Sequence, residues 1–265
     1  MPRDIAGFSN PLVKETRSLR DKKHRRASGR FLAEGLRICI EALDAGHAPE
    51  LLWRTAASAD HPLVARLEAA AGDVLVTTPD ILGKLSGKDN PGSVIGVYRE
   101  PEWALGDIQR TNSPLWIVAQ ALRDPGNLGT ILRTGDAVGA GGLILVDDCT
   151  DPFSVEAVRA SMGAIFTQQV VQTDWAQFIE WLRAGPGELI GTSLNTRLDY
   201  QAVRYTAPTF ILVGNEAQGL PPDYEAACDQ LVKMPMLGKA DSLNAAVATA
   251  VMAYEVINQR RAAAG

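Results

Sequence analysis

A chain of 265 residues with 46% hydrophobic and 22% charged residues has the composition of a globular protein of one large or two ordinary domains. No apolar run approaches the roughly 20 residues that span a bilayer, and the opening MPRDI lacks the apolar core of a signal peptide, so a cytoplasmic protein without membrane attachment is expected. The net charge of -5 speaks against a uniformly basic nucleic-acid binder, and the scattered Cys39, Cys149 and Cys228 offer neither a disulfide framework nor a zinc site.

The first third reads as a small α/β unit. Residues 14–26 form a polar, basic helix candidate, and residues 31–45 place Leu36, Ile40 and Leu43 at helical spacing before Gly46. Strands are expected at 50–55, 74–78 and 93–98, with helices at 61–71 and 79–85 between them. Residues 100–114 have no period and contain Pro101, Gly106, Asn112 and Pro114, the composition of a linker. The predicted division is 1–100, a linker over 101–114, and 115–265.

From residue 115 the alternation restarts. Strands are predicted at 116–120, 142–146, 167–171, 188–191, 209–213 and 232–234. Helices are predicted at 127–138, 154–162, 175–183 and 242–259. The continuous apolar run GLILV at 142–146 suits a parallel strand covered on both faces, and successive βα units imply a parallel sheet. Gly139, Gly141 and Gly142 follow a helix and precede a strand, and Ile144 stands where GxGxxG needs its last glycine, so they read as a helix-ending turn and not as a dinucleotide fingerprint.

Charge is distributed unevenly. Residues 1–30 carry nine Lys/Arg, among them Arg25 and Arg26, against Asp4, Glu15 and Asp21, a net of +6 that leaves -11 for the rest. Such a segment is either a phosphate-contacting arm or a solvated helix face. All three histidines, His24, His47 and His61, lie in the first quarter, which excludes a Ser-His-Asp triad and a His-based metal site in the C-terminal half; no metal is expected.

Three segments set polar residues and glycines at the edges of apolar runs: NLGTILR at 127–133, LVGNE at 212–216, and MPMLG at 234–238 running on to SLN at 242–244. Asn127 and Ser242 could each be simple helix caps, and Gly214 a plain turn. Arg133 is harder to absorb, because its helix is otherwise mostly apolar and a charge there must reach solvent, a partner or a phosphate. In this order the segments resemble motifs 1, 2 and 3 of the SpoU/TrmH family of RNA 2′-O-ribose methyltransferases, in the SPOUT superfamily.

That resemblance implies a C-terminal parallel-sheet SPOUT domain with a trefoil knot, preceded by a ribosomal-protein-like α/β domain that binds substrate. It implies S-adenosylmethionine as methyl donor, RNA as substrate and a homodimer. By family correspondence Arg133 is catalytic, Asn127 helps bind RNA, Glu216 shapes the active site with Ser242 and Asn244, and the cosubstrate meets Gly214, Met234 and Leu243; Thr192, at the end of another expected strand, is expected to complete the pocket. The family usually has Ile or Val where Met234 stands. Whether Arg133 would serve as base or as a fixed charge beside the developing alkoxide stays open. Ribosomal RNA is the expected substrate; a transfer-RNA enzyme of the same family and a non-catalytic RNA-binding protein of this fold are the alternatives.

Overall fold

The computed structural model describes residues 2–264. It divides into two compact units, one made of residues 2–101 and 151–167, the other of 102–150 and 168–264.

The first unit has a five-stranded sheet in the order β1 (Arg3–Ile5), β4 (Asp73–Thr77), β3 (Leu51–Thr55), β5 (Val94–Arg99), β2 (Arg30–Glu34). β1, β4 and β3 run parallel, and β5 is antiparallel to both β3 and β2. Leu32, Trp53, Leu75, Ile95 and Val97 from the sheet bury against Leu19, Ile81, Leu82 and Leu85. The Trp53 indole donates to Thr16 Oγ1 at 3.2 Å, which satisfies its buried N–H.

Three sequence expectations are corrected in this unit. The basic helix expected at 14–26 is two helices, α1 (Pro11–Ser18) and α2 (Lys22–Ser28), because Asp21 caps the second by accepting from the Lys23 N–H at 2.8 Å. The helix expected at 31–45 begins as strand β2, and only α3 (Leu36–Asp44) is helical, since Gly35 at φ 108° breaks the chain between them. Arg25 is buried as well, not an exposed member of a basic arm. It bonds Asp151 at 2.6 Å and donates to the Leu19 and Arg20 carbonyls.

Residues 151–167 belong to this unit because their aromatic side chains pack on its sheet. Phe153 and Phe166 lie 5.0 and 5.6 Å from the Phe31 ring. Helix α7 (Val155–Ser161) sends Arg159 to Glu34 at 2.8 Å. Helices α4 (Pro62–Ala70) and α5 (Pro79–Ser86) complete the unit close to their expected bounds.

The second unit carries a six-stranded, wholly parallel sheet: β11 (Gln230–Val232), β9 (Glu188–Thr192), β10 (Thr209–Val213), β6 (Leu115–Gln120), β7 (Gly142–Val146), β8 (Gln169–Thr173). Every residue of β6, β7 and β10 is buried, as a sheet covered on both faces requires. Around it stand α6 (Pro125–Val138), α8 (Trp175–Arg183), the short α9 (Pro222–Ala227) and the long α10 (Ala245–Ala264), with α10 packed along α6. Gly139, at φ 69°, closes α6 with a left-handed turn, as the sequence suggested. Helix α10 starts later than the expected residue 242, because Asn244 caps it by accepting from the N–H groups of Ala246 and Val247.

Candidate active site

The C-terminal ends of β9, β10 and β11 converge, and a ligand site is expected outside such strand ends in a parallel sheet. A cavity of about 310 Å³ opens there. Thr192 closes β9 and donates to the Leu212 carbonyl at 3.3 Å. Gly214 follows β10 and Met234 follows β11. The 234–244 loop supplies Met236, Ser242 and Leu243 to the wall before α10 begins. Apolar surface comes from Val213, Leu220, Val232, Met234 and Leu243, and polar groups from Ser193, Asn195, Glu225 and Lys233.

Gly214 is demanded by the protein's own backbone. A Cβ at this position would stand 2.5 Å from the Gly219 carbonyl carbon and 2.6 Å from the Leu220 nitrogen. Residues 215–219 double back there, with the Gly219 N–H on the Asn215 carbonyl at 2.9 Å. Asn215 fixes the turn, accepting from the Ala217 and Gln218 N–H groups and donating to the Ala121 carbonyl at 2.8 Å.

A second, more open cavity of about 470 Å³ lies beside the first and shares Asn215, Glu216 and Ala217 with it. Arg123, Asp124, Asn127 and Asn244 form the rest of its wall. Asp124, not Asn127, caps α6, accepting from the Asn127 N–H at 2.6 Å. This leaves the Asn127 amide for other work: it donates to Glu216 Oε1 at 3.2 Å and accepts from Asn244 Nδ2 at 2.8 Å. Ser242 likewise is not the cap of α10, since Asn244 holds that position.

Glu216 ties the assembly together. Burial acts to raise its pKa. Hydrogen bonds from its own N–H, from the Asn127 amide and from the Asp124 and Arg123 N–H groups outweigh that and hold the carboxyl below its ordinary range. It is therefore a fixed anion that orients Asn127, rather than a carboxyl poised to exchange a proton near neutrality.

Of the residues singled out in the sequence, Thr192, Gly214, Met234, Ser242 and Leu243 line the first cavity, Asn127 and Asn244 the second, and Glu216 both. Arg133 lines neither and is exposed on α6. Sequence reasoning missed the carboxylate of Glu225, which accepts from Ser193 Oγ and from Asn195 Nδ2 at 3.1 Å. Its helix spans only six residues and leaves no periodic signal.

A family model described as the SpoU rRNA Methylase family matches residues 114–254, and one described as the MRM3-like substrate binding domain matches 10–96. The chain belongs to the SpoU rRNA methylase family. A relative in Bacillus subtilis, named 23S rRNA (guanosine(2553)-2′-O)-methyltransferase, is 28% identical over 96% of this chain and 99% of its own. A 23S rRNA (uridine(2479)-2′-O)-methyltransferase of Streptomyces viridochromogenes is 31% identical over 91% and 87%. The crystal structure of an rRNA methyltransferase from Sinorhizobium meliloti, bound to S-adenosylmethionine, superposes with a TM-score of 0.90 at 37% identity and covers 97% of this chain and 98% of that one.

As a SpoU methylase the chain is a methyltransferase, and S-adenosylmethionine is its methyl donor. The first cavity suits that molecule: its apolar walls can take a purine ring and its polar groups a ribose and an amino-acid tail. The donor supplies an already activated methyl group on a sulfonium. What remains for the protein is to hold an acceptor oxygen in line and to accommodate its proton. The adjoining cavity, with its Glu216–Asn127–Asn244 chain, is where a hydroxyl can be held against the first.

Proposed function

We propose that this SpoU methylase transfers the methyl group to a ribose 2′-hydroxyl of ribosomal RNA, in the cytoplasm and as a homodimer. The observation that carries the reading is the pair of cavities with one common wall at residues 215–217: one takes the cosubstrate, the other the acceptor nucleotide. The names of the full-length relatives support ribosomal RNA as the substrate. In this reading residues 1–100 form the RNA-binding domain, 101–114 are the linker, and 115–265, apart from the 151–167 segment that packs with the first domain, form the catalytic domain, whose C-terminal segment is threaded as a trefoil knot.

Gly214, Met234, Leu243 and Thr192 hold the cosubstrate. Asn127, Glu216 and Asn244 position the acceptor, Ser242 assists from the wall of the cosubstrate cavity, and Arg133 acts in the chemical step. The separation of Arg133 from Asn127 on α6 supports a shared site. Six residues place them about 9 Å apart along the helix and about 120° around it, so one helix does not aim both at one cavity. The neighbouring α10 exposes Val247 (49%) and Tyr254 (57%) on one face, an apolar strip suited to a second copy. Arg133 then serves the acceptor bound by the partner.

The deciding experiment is methyl transfer from labelled S-adenosylmethionine to ribosomal RNA taken from a strain lacking the gene, with size-fractionated transfer RNA alongside. Incorporation into 23S RNA at one 2′-O position is expected. Incorporation confined to transfer RNA, or none, would refute the reading.

A further inference from the structure

The acceptor cavity poses an electrostatic problem for the proposed substrate. Asp124 and Glu216 stand in its wall, and Glu216 is held ionised by four hydrogen-bond donors. RNA brings a phosphate on each side of the ribose to be methylated. Among the described residues, Arg123 is the cationic residue lining this cavity. Arg133, the arginine the sequence points to, is not in the wall.

We infer that Arg123 is a substrate-positioning residue that binds an RNA phosphate next to the acceptor ribose, and that Asp148 occupies its guanidinium until RNA arrives. The inference rests on the proposed RNA reading and adds a residue to it. Three observations support it. The Arg123 backbone is fixed by the site itself, since its N–H donates to Glu216 Oε2 at 3.4 Å, one residue from the Asp124 N–H that bonds Oε1. The side chain thus leaves from a backbone anchored on the Glu216 carboxylate. The guanidinium itself is engaged through Nη1 with Asp148 at 2.6 Å. That pair is open to water, with side-chain exposures of 60% and 79%. Exposed ion pairs contribute little in water, so the exchange of Asp148 for a phosphate costs little. A guanidinium also presents five donors in a planar fork that matches two phosphate oxygens.

The two partners of the pair make opposite predictions, which separates a phosphate contact from a structural bridge. Binding of a 23S ribosomal RNA transcript by the full-length protein is measured between 50 and 300 mM salt for wild type, Arg123→Ala and Asp148→Asn. Calorimetric affinity for S-adenosylmethionine serves as the check on folding. Arg123→Ala should weaken RNA binding about tenfold at low salt and lower the slope of log affinity against log salt by about one. Asp148→Asn should tighten RNA binding two- to threefold by removing the competitor, about the reverse of a weak exposed pair. Both should keep wild-type cosubstrate affinity. An unchanged salt slope in Arg123→Ala, or weakened RNA binding in Asp148→Asn, overturns the inference while leaving the proposed function intact. A wild-type protein that transfers no methyl to ribosomal RNA overturns both.

Discussion

At residue scale, Gly214 and Glu216 are two different kinds of requirement. At Gly214 the obstruction to any side chain is the chain's own turn at Gly219 and Leu220, both backbone, so it cannot rotate away. Gly214→Ala should therefore displace the 215–219 turn that walls both cavities. Calorimetry should show cosubstrate affinity at least tenfold weaker, together with a lower melting temperature; wild-type affinity would mean the turn is looser than its hydrogen bonds indicate. At Glu216 the issue is charge. Its pKa is depressed in the folded protein, so its stabilising contribution is complete above the ordinary carboxyl value of 4.5 and is lost only as pH falls through the lower folded value. Melting temperature followed from pH 7 to pH 3 should show an acid loss that Glu216→Gln lacks in part, with no difference in shape between the two profiles above pH 5. A divergence near neutrality would mean that Glu216 titrates there and is available as a base. Sequence alone marked both residues but gave them weaker reasons, since neither the return of Gly219 onto Gly214 nor the four donors on Glu216 can be seen along the chain.

At the scale of elements, the basic N-terminal segment resolves into residues with unlike roles. Arg25 is 2% exposed, bonded to Asp151 and to two carbonyls, whereas Lys14, Arg17, Lys23 and Arg26 are exposed on α1 and α2. Removing one partner of a buried ion pair leaves the other charge uncompensated. Arg25→Ala should cost about 3 kcal/mol of stability in urea unfolding without altering the salt slope of RNA binding. The joint replacement of Lys14, Arg17, Lys23 and Arg26 by Ala should do the reverse, flattening the slope with little change in stability. If Arg25→Ala flattened the slope with stability intact, its buried placement would be mistaken. The parallel sheet of the second unit was legible because its central strands are short, largely apolar runs between helical periods. The division of 14–26 into two helices was not, because one capping aspartate decides it. Nor was the place of 151–167 in the first unit: Phe153 and Phe166 pack on Phe31 across more than a hundred residues of chain, and no local pattern records that. The caps misled in the same way. Asn127 and Ser242 have the right chemistry to cap helices, yet Asp124 and Asn244 do so, and only then is the Asn127 amide seen to be available to Glu216.

For the whole molecule, the decisive question is whether one chain contains a complete site. Asn127, Glu216 and Asn244 stand together at the second cavity, while Arg133 sits exposed on α6 outside its wall. The proposed dimer, joined along the α6 and α10 faces, requires that each Arg133 reach the other copy's acceptor and that the exposed Val247 and Tyr254 be covered. Sedimentation should accordingly show a species of twice 28.4 kDa at micromolar concentration, and Tyr254→Glu should shift it toward monomer with loss of activity. Complementation tests the shared site itself. Arg133→Ala and Asn244→Ala homodimers should each transfer methyl at a small fraction of the wild-type rate, with Arg133→Ala keeping its melting temperature and cosubstrate affinity. After the two variants are mixed and allowed to exchange subunits, half of the dimers at random exchange are mixed. Each mixed dimer then has one site with both defects and one with neither, so about a quarter of wild-type activity should return. If Arg133 acts within its own chain, every site in a mixed dimer carries one defect and no activity returns. Failure to recover activity despite demonstrated subunit exchange would place Arg133 in the site of its own subunit and require its side chain to reach the acceptor around α6.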